Sequence, residues 1–253
     1  MIREAVSAGA NYVQTPEVTT VLETDSKRMP DVIKPEPGNP ALIHFSELAS
    51  ELGIWLHIGS MAVATDEPRY ANRSFLFAPS GEIAARYDKI HMFDVEIGEG
   101  QSYRESKRYR PGHAGVLAEL PWTTLGLTIC YDMRFPALYR ALAKAGAEII
   151  AVPSSFTVPT GKAHWHALLR ARAIESQCFI LAAAQAGDHE CGRQTYGHSI
   201  IISPWGEILA EADGTTTGVI TAKINLDDVA KARARVPSLS NDLPFDIIRA
   251  EPI

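Results

Sequence analysis

The chain has 253 residues, 46% of them hydrophobic and 21% charged, with 24 Lys and Arg against 30 Asp and Glu for a formal net charge of −6. That is the make-up of a folded domain able to bury a substantial core, and the absence of any basic patch or Lys/Arg run excludes nucleic acid as an expected partner. No apolar stretch reaches membrane-spanning length, residues 1–20 lack a secretory pattern, and three cysteines are an odd number for a disulfide framework, so a single soluble cytoplasmic domain over residues 1–253 is expected, with no membrane partner.

In chain order, a short apolar stretch at 11–13 leads into Pro16-Glu17, and residues 22–40, rich in Asp, Glu, Lys and Pro, read as an exposed loop. The apolar spacing over 41–52 predicts a helix, and 55–64 reads as a strand with small residues. Further strands are expected at 74–78, 81–87, 115–120 and 125–129, separated by Gly and Pro breaks. Pro136 suits the first turn of a helix over 137–146 that Gly146 would end, and 148–152 is again a strand. The clearest helix is 162–177, with Ala167, Ala171, Ile174 and Cys178 as its apolar stripe. Residues 198–203 and 207–210 flank Pro204-Trp205-Gly206 as a hairpin; a strand over 219–224 and a helix over 227–235 complete the chain. The alternation predicts a layered α/β architecture rather than an all-β one.

Cys130 closes the apolar run Leu125-Gly126-Leu127-Thr128-Ile129 and is followed at once by Tyr131-Asp132-Met133-Arg134-Phe135-Pro136. It therefore lies at a strand-to-turn corner, where a side chain can face a pocket and backbone N–H groups point outward, which suits a covalent catalyst. Taken alone, a cysteine in that place is more often a small buried hydrophobe. Glu17 alone would be a surface acid, and Lys89, in Tyr87-Asp88-Lys89-Ile90-His91, a solvated lysine. Cys178 is read as core and Cys191 as exposed in a polar loop. His164, His166, His189, Cys191 and His198 fall in one stretch, but no Cys-x-x-Cys or His-Glu-x-x-His spacing exists, and His164 and His166 would point to different faces of a helix. No metal site is expected. His164 and His198 are assigned structural hydrogen bonds near the pocket.

Taken together and in order, Glu17, Lys89 and Cys130 resemble the Glu–Lys–Cys triad of the nitrilase (carbon–nitrogen hydrolase) superfamily. The resemblance runs through Lys89-Ile90-His91-Met92-Phe93-Asp94, Cys130-Tyr131-Asp132-Met133-Arg134-Phe135, Ala163-His164-Trp165, Tyr196-Gly197-His198-Ser199 and Pro204-Trp205-Gly206, all similar to the amidase branch. Leu169-Arg170-Ala171-Arg172-Ala173-Ile174-Glu175 and Ala182-Ala183-Ala184-Gln185 look most like its deaminated-glutathione amidases, with the ω-amidases close behind. The resemblance implies an α-β-β-α sandwich that assembles into a homodimer or larger homo-oligomer, with the helices at 137–146 and 162–177 facing the partner. Members usually open with a strand and a full helix before the Pro-Glu turn, whereas Met1 falls inside that helix, so the first strand is expected to be missing.

The implied chemistry assigns Cys130 as nucleophile forming a thioester, Glu17 as base and proton shuttle, and Lys89 with the Tyr131 backbone N–H as oxyanion donors. Glu105 matches a second glutamate that orients Lys89 and the attacking water; Asp94, Glu96 and Glu99 are its rivals. Arg134, or alternatively Arg170 or Arg172, would meet a substrate carboxylate, although a salt bridge to Glu175 is an equal reading of the last two. Phe156, Thr157 and Thr160 would shape the pocket wall, as loops at strand carboxyl ends often do. The expected activity is hydrolysis of the terminal amide of a small carboxylate-bearing molecule with release of ammonia, deaminated glutathione being favoured over α-ketoglutaramate, and it needs no cofactor. A nitrilase acting on C≡N bonds and a catalytically silent binding or scaffold protein of the same fold, its Glu17 corner deformed by the missing strand, are the alternatives.

Overall fold

The computed structural model of the chain describes residues 1–98 and 102–250. A short helix α1 (Ile2–Ser7) leads to β1 (Tyr12–Gln14), then α2 (Met29–Val32) and α3 (Pro40–Leu52). Next come β2 (Trp55–Val63), β3 (Ala71–Phe77), β4 (Ile83–Asp88) and the small pair β5 (Asp94–Glu96) and β6 (Ser102–Arg104). The second half holds β7 (Val116–Leu120), β8 (Thr123–Leu127), α4 (Pro136–Lys144), β9 (Ile149–Ala151), α5 (Val158–Ser176), β10 (Phe179–Ala182), β11 (Ala186–Asp188), β12 (Gln194–Tyr196), β13 (Ile200–Ile202), β14 (Ile208–Glu211) and α6 (Asp227–Arg235).

Local chemistry sets the boundaries. α3 starts where the Asn39 side chain accepts from the Ala41 N–H and Pro40 opens the first turn, and it stops at Gly53, which takes the left-handed conformation at φ 62°. β2 is buried along nearly its whole length because both of its faces are covered. It pairs parallel with β1 and antiparallel with β3, giving a sheet in the order β1-β2-β3-β4; the second sheet runs β14-β13-β10-β9-β8-β7.

The two sheets lie face to face. Leu76 and Tyr87 from the first enter one core with Leu125, Leu127, Ile150 and Ile180 from the second. Outside the second sheet, Tyr139 and Leu142 of α4 and Trp165, Leu169 and Ala173 of α5 close that core. Outside the first, Ala5 of α1 and Leu42, Leu48 and Ala49 of α3 pack with Ile58, Phe75 and Phe77. Four layers, α-β-β-α, result, as the sequence resemblance implied.

Three expectations change. Residues 22–40 are not all loop: Met29 of α2 and Ile33 are buried against Ala62, which pins the segment to β2. The buried stripe of α5 is Gly161, Trp165, Leu169 and Ala173, while Ile174 is half exposed. Alanines populate both stripes, so the two bulky residues decide; Trp165 packs on Phe156 and donates its indole N–H to the His198 carbonyl at 2.8 Å. Finally, 219–224 forms no strand; among the described residues it has no ladder partner, and Val219 and Ile224 pack into separate cores instead.

Candidate active site

Glu17 follows the carboxyl end of β1, Lys89 that of β4, Cys130 that of β8 and Ser155 that of β9. Their side chains meet in one cavity of about 570 Å³. The close approach of the two sheets there depends on Gly59 in β2: a Cβ at that position would lie 2.1 Å from the Thr15 carbonyl oxygen and 2.4 Å from Pro153 Cβ. Beside it, Ser60 Oγ accepts from the Val18 N–H at 3.0 Å and Gln185 Nε2 donates to the Glu17 carbonyl at 3.1 Å. These bonds hold Val18 at φ 52°, a costly conformation for a β-branched residue, and so fix the direction of Glu17.

Cys130 is held in the same way. Its N–H donates to the Pro153 carbonyl at 2.9 Å and its φ is 49°. Behind it, fully buried Asp132 accepts from the Ile129 N–H (2.9 Å), the Tyr87 hydroxyl (2.7 Å), the His91 N–H (3.0 Å) and His91 Nδ1 (2.7 Å). His91 in turn stacks on Phe135 with ring centroids 3.5 Å apart. One carboxylate thus ties the corner carrying the thiol to the two residues that flank Lys89 at a spacing of two. In the sequence Asp132 lies within the Cys130–Phe135 motif, where no local signal marks it as an anchor.

Lys89 Nζ donates to Glu17 Oε1 at 3.0 Å and to the two Glu105 oxygens at 3.0 and 2.9 Å. The Phe93 N–H fixes Glu105 Oε2 at 2.6 Å, and Asn72 Nδ2 donates to Glu17 Oε1 at 3.0 Å. Asp88, next to the lysine, is neutralised elsewhere by Arg73 and Arg110. Of the rivals to Glu105, Asp94 accepts from the Ser106 N–H and hydroxyl, Glu96 pairs with Arg104, and Glu99 lies outside the described residues.

The charges follow from burial and pairing. Burial opposes ionisation of Glu17, yet the Lys89 ammonium and the Cys130 hydrogen bond together carry its pKa below the ordinary carboxylate value. Burial also works against the Lys89 cation, but Glu105 and Glu17 outweigh it and hold the lysine charged. The Cys130 thiol is pushed well up, by burial first and by the Glu17 carboxylate second, with Lys89 and the Ser155 N–H opposing. The resting site is therefore a protonated thiol near a carboxylate, beside a fixed cation. Such a set can remove a thiol proton at the moment of attack and stabilise an oxyanion.

Tyr131, Phe156, Thr157 and Thr160 line the cavity. Among the described residues no acceptor takes the Tyr131 backbone N–H. The arginines are distributed differently from expectation. Arg134 sits behind the wall, its guanidinium carbon 5.5 Å from the Phe156 ring centroid and 3.3 Å separating Nη2 from His164 Nδ1. Arg170 does not reach the site; its Nε donates to the Gly206 carbonyl on the far side of α5. Arg172 is spent on the Met133 carbonyl and Glu175. Arg170 lies on the exposed side of α5, whereas Arg172 is buried but committed to those two partners. Instead Lys107, Arg108 and Arg193 supply cations to the wall. Arg193 and Asn72 were missed: a lone arginine in a polar loop has no periodic signal, although a polar residue inside a buried strand could have marked Asn72. Among the described residues no group of three or more His, Cys, Asp or Glu is placed to hold a metal. His198 bonds the Tyr196 carbonyl, away from the cavity.

The sequence profile described as carbon-nitrogen hydrolase matches residues 1–234. The deaminated glutathione amidase of Yersinia enterocolitica is 40% identical over 240 residues, covering 94% of this chain and 83% of its own. Human omega-amidase NIT2 is 35% identical over 93% of this chain and 84% of its own. Among solved structures, the C. elegans NitFhit protein superposes with a TM-score of 0.86 at 34% identity, over 96% of this chain and 59% of that one. By its sandwich, its cavity and these relatives, the chain belongs to the carbon–nitrogen hydrolase family, whose members hydrolyse non-peptide C–N bonds.

Proposed function

We propose that the chain is a cysteine amidase of small carboxylate-bearing substrates, with deaminated glutathione the favoured substrate and α-ketoglutaramate the runner-up. The observation that carries this reading is the buried Glu17–Lys89–Glu105 cluster around the Cys130 thiol in a single cavity. Glu17 takes the thiol proton as Sγ attacks the amide carbon; Lys89 and the Tyr131 N–H hold the oxyanion. Collapse of the intermediate expels the amine, protonated by Glu17, and leaves a thioester on Cys130. Water, activated by Glu17 and oriented by Glu105, then releases the carboxylic acid. The wall cations Lys107, Arg108 and Arg193 suit the substrate carboxylates.

The leaving group depends on the substrate. Deaminated glutathione carries its acyl part on cysteinylglycine through a secondary amide, so cleavage there frees a dipeptide amine; ammonia is the product only for a primary amide such as α-ketoglutaramate. The silent-scaffold alternative rested on a deformed Glu17 corner, and the bonds from Ser60, Gln185 and Asn72 to that corner speak against it. The test is chromatographic: purified protein with deaminated glutathione yields α-ketoglutarate and cysteinylglycine, and no hydrolysis of either substrate by folded protein overturns the reading.

A homodimer belongs to the same proposal. Ile174 on α5 and Trp205 beside it present apolar surface on the outer face of the second sheet, which supports burial of that face against a partner. Sedimentation at micromolar concentration would give a dimer; a monomer alone would reject this part. Among the described residues no helix is long and apolar enough to cross a membrane, and three free thiols suit a reducing cytoplasm.

A further inference from the structure

A second cavity, of about 590 Å³, opens beside the one that holds Cys130. Val158 and Pro159 at the start of α5 form one side of it, and Asp188, His189, Gly192 and Gln194 of the β11–β12 hairpin form the other. Tyr103, Thr157 and Arg193 line both cavities. Each volume alone falls in the range of a small-molecule site. Hydrolysis of a primary amide needs only the inner one, which holds the thiol, the cation and both glutamates.

Arg193 stands on the boundary with its donors partly spent. Its Nη2 donates to the Ser155 carbonyl at 2.5 Å and its guanidinium carbon lies 5.7 Å from the Tyr103 ring centroid. Its Nε is buried and has no hydrogen-bond partner among the described residues, so contact with a ligand falls to the Nη donors that Ser155 leaves free. The acid nearest this wall, Asp188, is already engaged by Gln194 Nε2 at 2.7 Å, and His189 Nε2 is 2.7 Å from Thr195 Oγ1.

We propose that the outer cavity is a leaving-group subsite, which takes the far carboxylate of substrates whose amide nitrogen carries a peptide-like chain, with Arg193 as the wall common to both sites. This rests on the amidase reading of the inner cavity. A primary amide and a peptide-like amide with the same acyl part differ only beyond the scissile nitrogen. The longer chain extends outward from the scissile nitrogen, and the wall shared with the outer cavity carries the guanidinium that would meet it. The substrate class selected is an amide of a short peptide ending in a free carboxylate.

The experiment compares deaminated glutathione with its C-terminal glycinamide form, which lacks the far charge, on wild type, Gln194→Glu and Arg193→Gln. Wild type is expected to show a KM about tenfold lower for the carboxylate form at similar kcat, since a charge-assisted bidentate contact is at stake. Gln194→Glu, at an exposed position, replaces the amide donor to Asp188 with a second carboxylate beside it, makes the outer cavity more negative and should reduce that preference to about twofold or less; Arg193→Gln should do the same. Equal KM values for the two forms in wild type, or a preference that survives Gln194→Glu, overturns the subsite while leaving the amidase intact. Hydrolysis of neither form by folded wild type overturns the amidase reading and the subsite with it.

Discussion

In the proposed mechanism Cys130 and Glu17 exchange a proton, and their pKa values are shifted in opposite directions. Burial would neutralise both, but Lys89 rescues only the carboxylate, so the proton rests on sulfur and the base stays ionised. The pH dependence follows. A carboxylate whose pKa is lowered keeps its charge down to more acidic pH than usual, and a thiol whose pKa is raised gains no thiolate on the alkaline side. The profile of kcat/KM should therefore be flat from about pH 5 to about pH 9. A rise with an apparent pKa near about 8.5, measured on the same substrate, would mean that a preformed thiolate reacts instead. Asp132 acts through its neighbours. Asp132→Asn turns one acceptor oxygen into a donor facing Tyr87, His91 or Ile129, and should cost about 1–3 kcal/mol of stability. Because it displaces the thiol rather than the substrate, kcat should fall with KM little changed; an unchanged kcat in the folded variant would deny Asp132 a positioning role.

At the scale of the element, β2 does the most to bring the site together. Gly59→Ala places a methyl group against the Thr15 carbonyl and Pro153, so the corners bearing Glu17 and Cys130 must separate. About 1–3 kcal/mol of stability should be lost, as for other overpacked cores, together with most of the activity; a melting curve and turnover rate unchanged from wild type would contradict this. Two residues earlier, His57 is buried between the Tyr12 hydroxyl at 2.9 Å and Ser74 Oγ at 2.5 Å, tying β1, β2 and β3 together. Burial lowers its pKa from 6.5 to about 3. The unfolded chain therefore takes up a proton below pH 6.5 that the folded chain refuses, so this contribution to stability is complete above pH 6.5 and declines as the pH falls toward 3. By pH 5 the loss is about 2 kcal/mol. Urea midpoints at pH 7 and pH 5 should differ less in His57→Gln than in wild type, and equal differences would exclude this group as the source.

Across the whole molecule, the sequence was most informative where chemistry and chain order coincide. Glu17, Lys89, Glu105 and Cys130, far apart along the chain, reach one cavity because each follows a strand end or the short turn after β6, and ordered motifs can be read without knowing the packing. The layered architecture was legible for the same reason, from alternating helix and strand periods. What remained hidden depends on packing partners. Which stripe of α5 is buried is decided by Trp165 and Leu169 against the second sheet, and residue type alone, a guanidinium suited to a carboxylate, does not reveal that Arg170 and Arg172 are committed to Gly206, Met133 and Glu175. Arg193 enters the cavity only because the β11–β12 hairpin folds over it, a long-range event with no local signature. Residues 219–224 read as a strand in sequence but have no ladder partner among the described residues.

Whether Cys130 is the nucleophile is decided by turnover of deaminated glutathione by wild type beside Cys130→Ala, with thermal melting to establish that the variant is folded. Product is expected from wild type, with a loss of at least about a thousandfold in the variant, since removing a nucleophile abolishes the covalent route. Turnover retained by folded Cys130→Ala would contradict it.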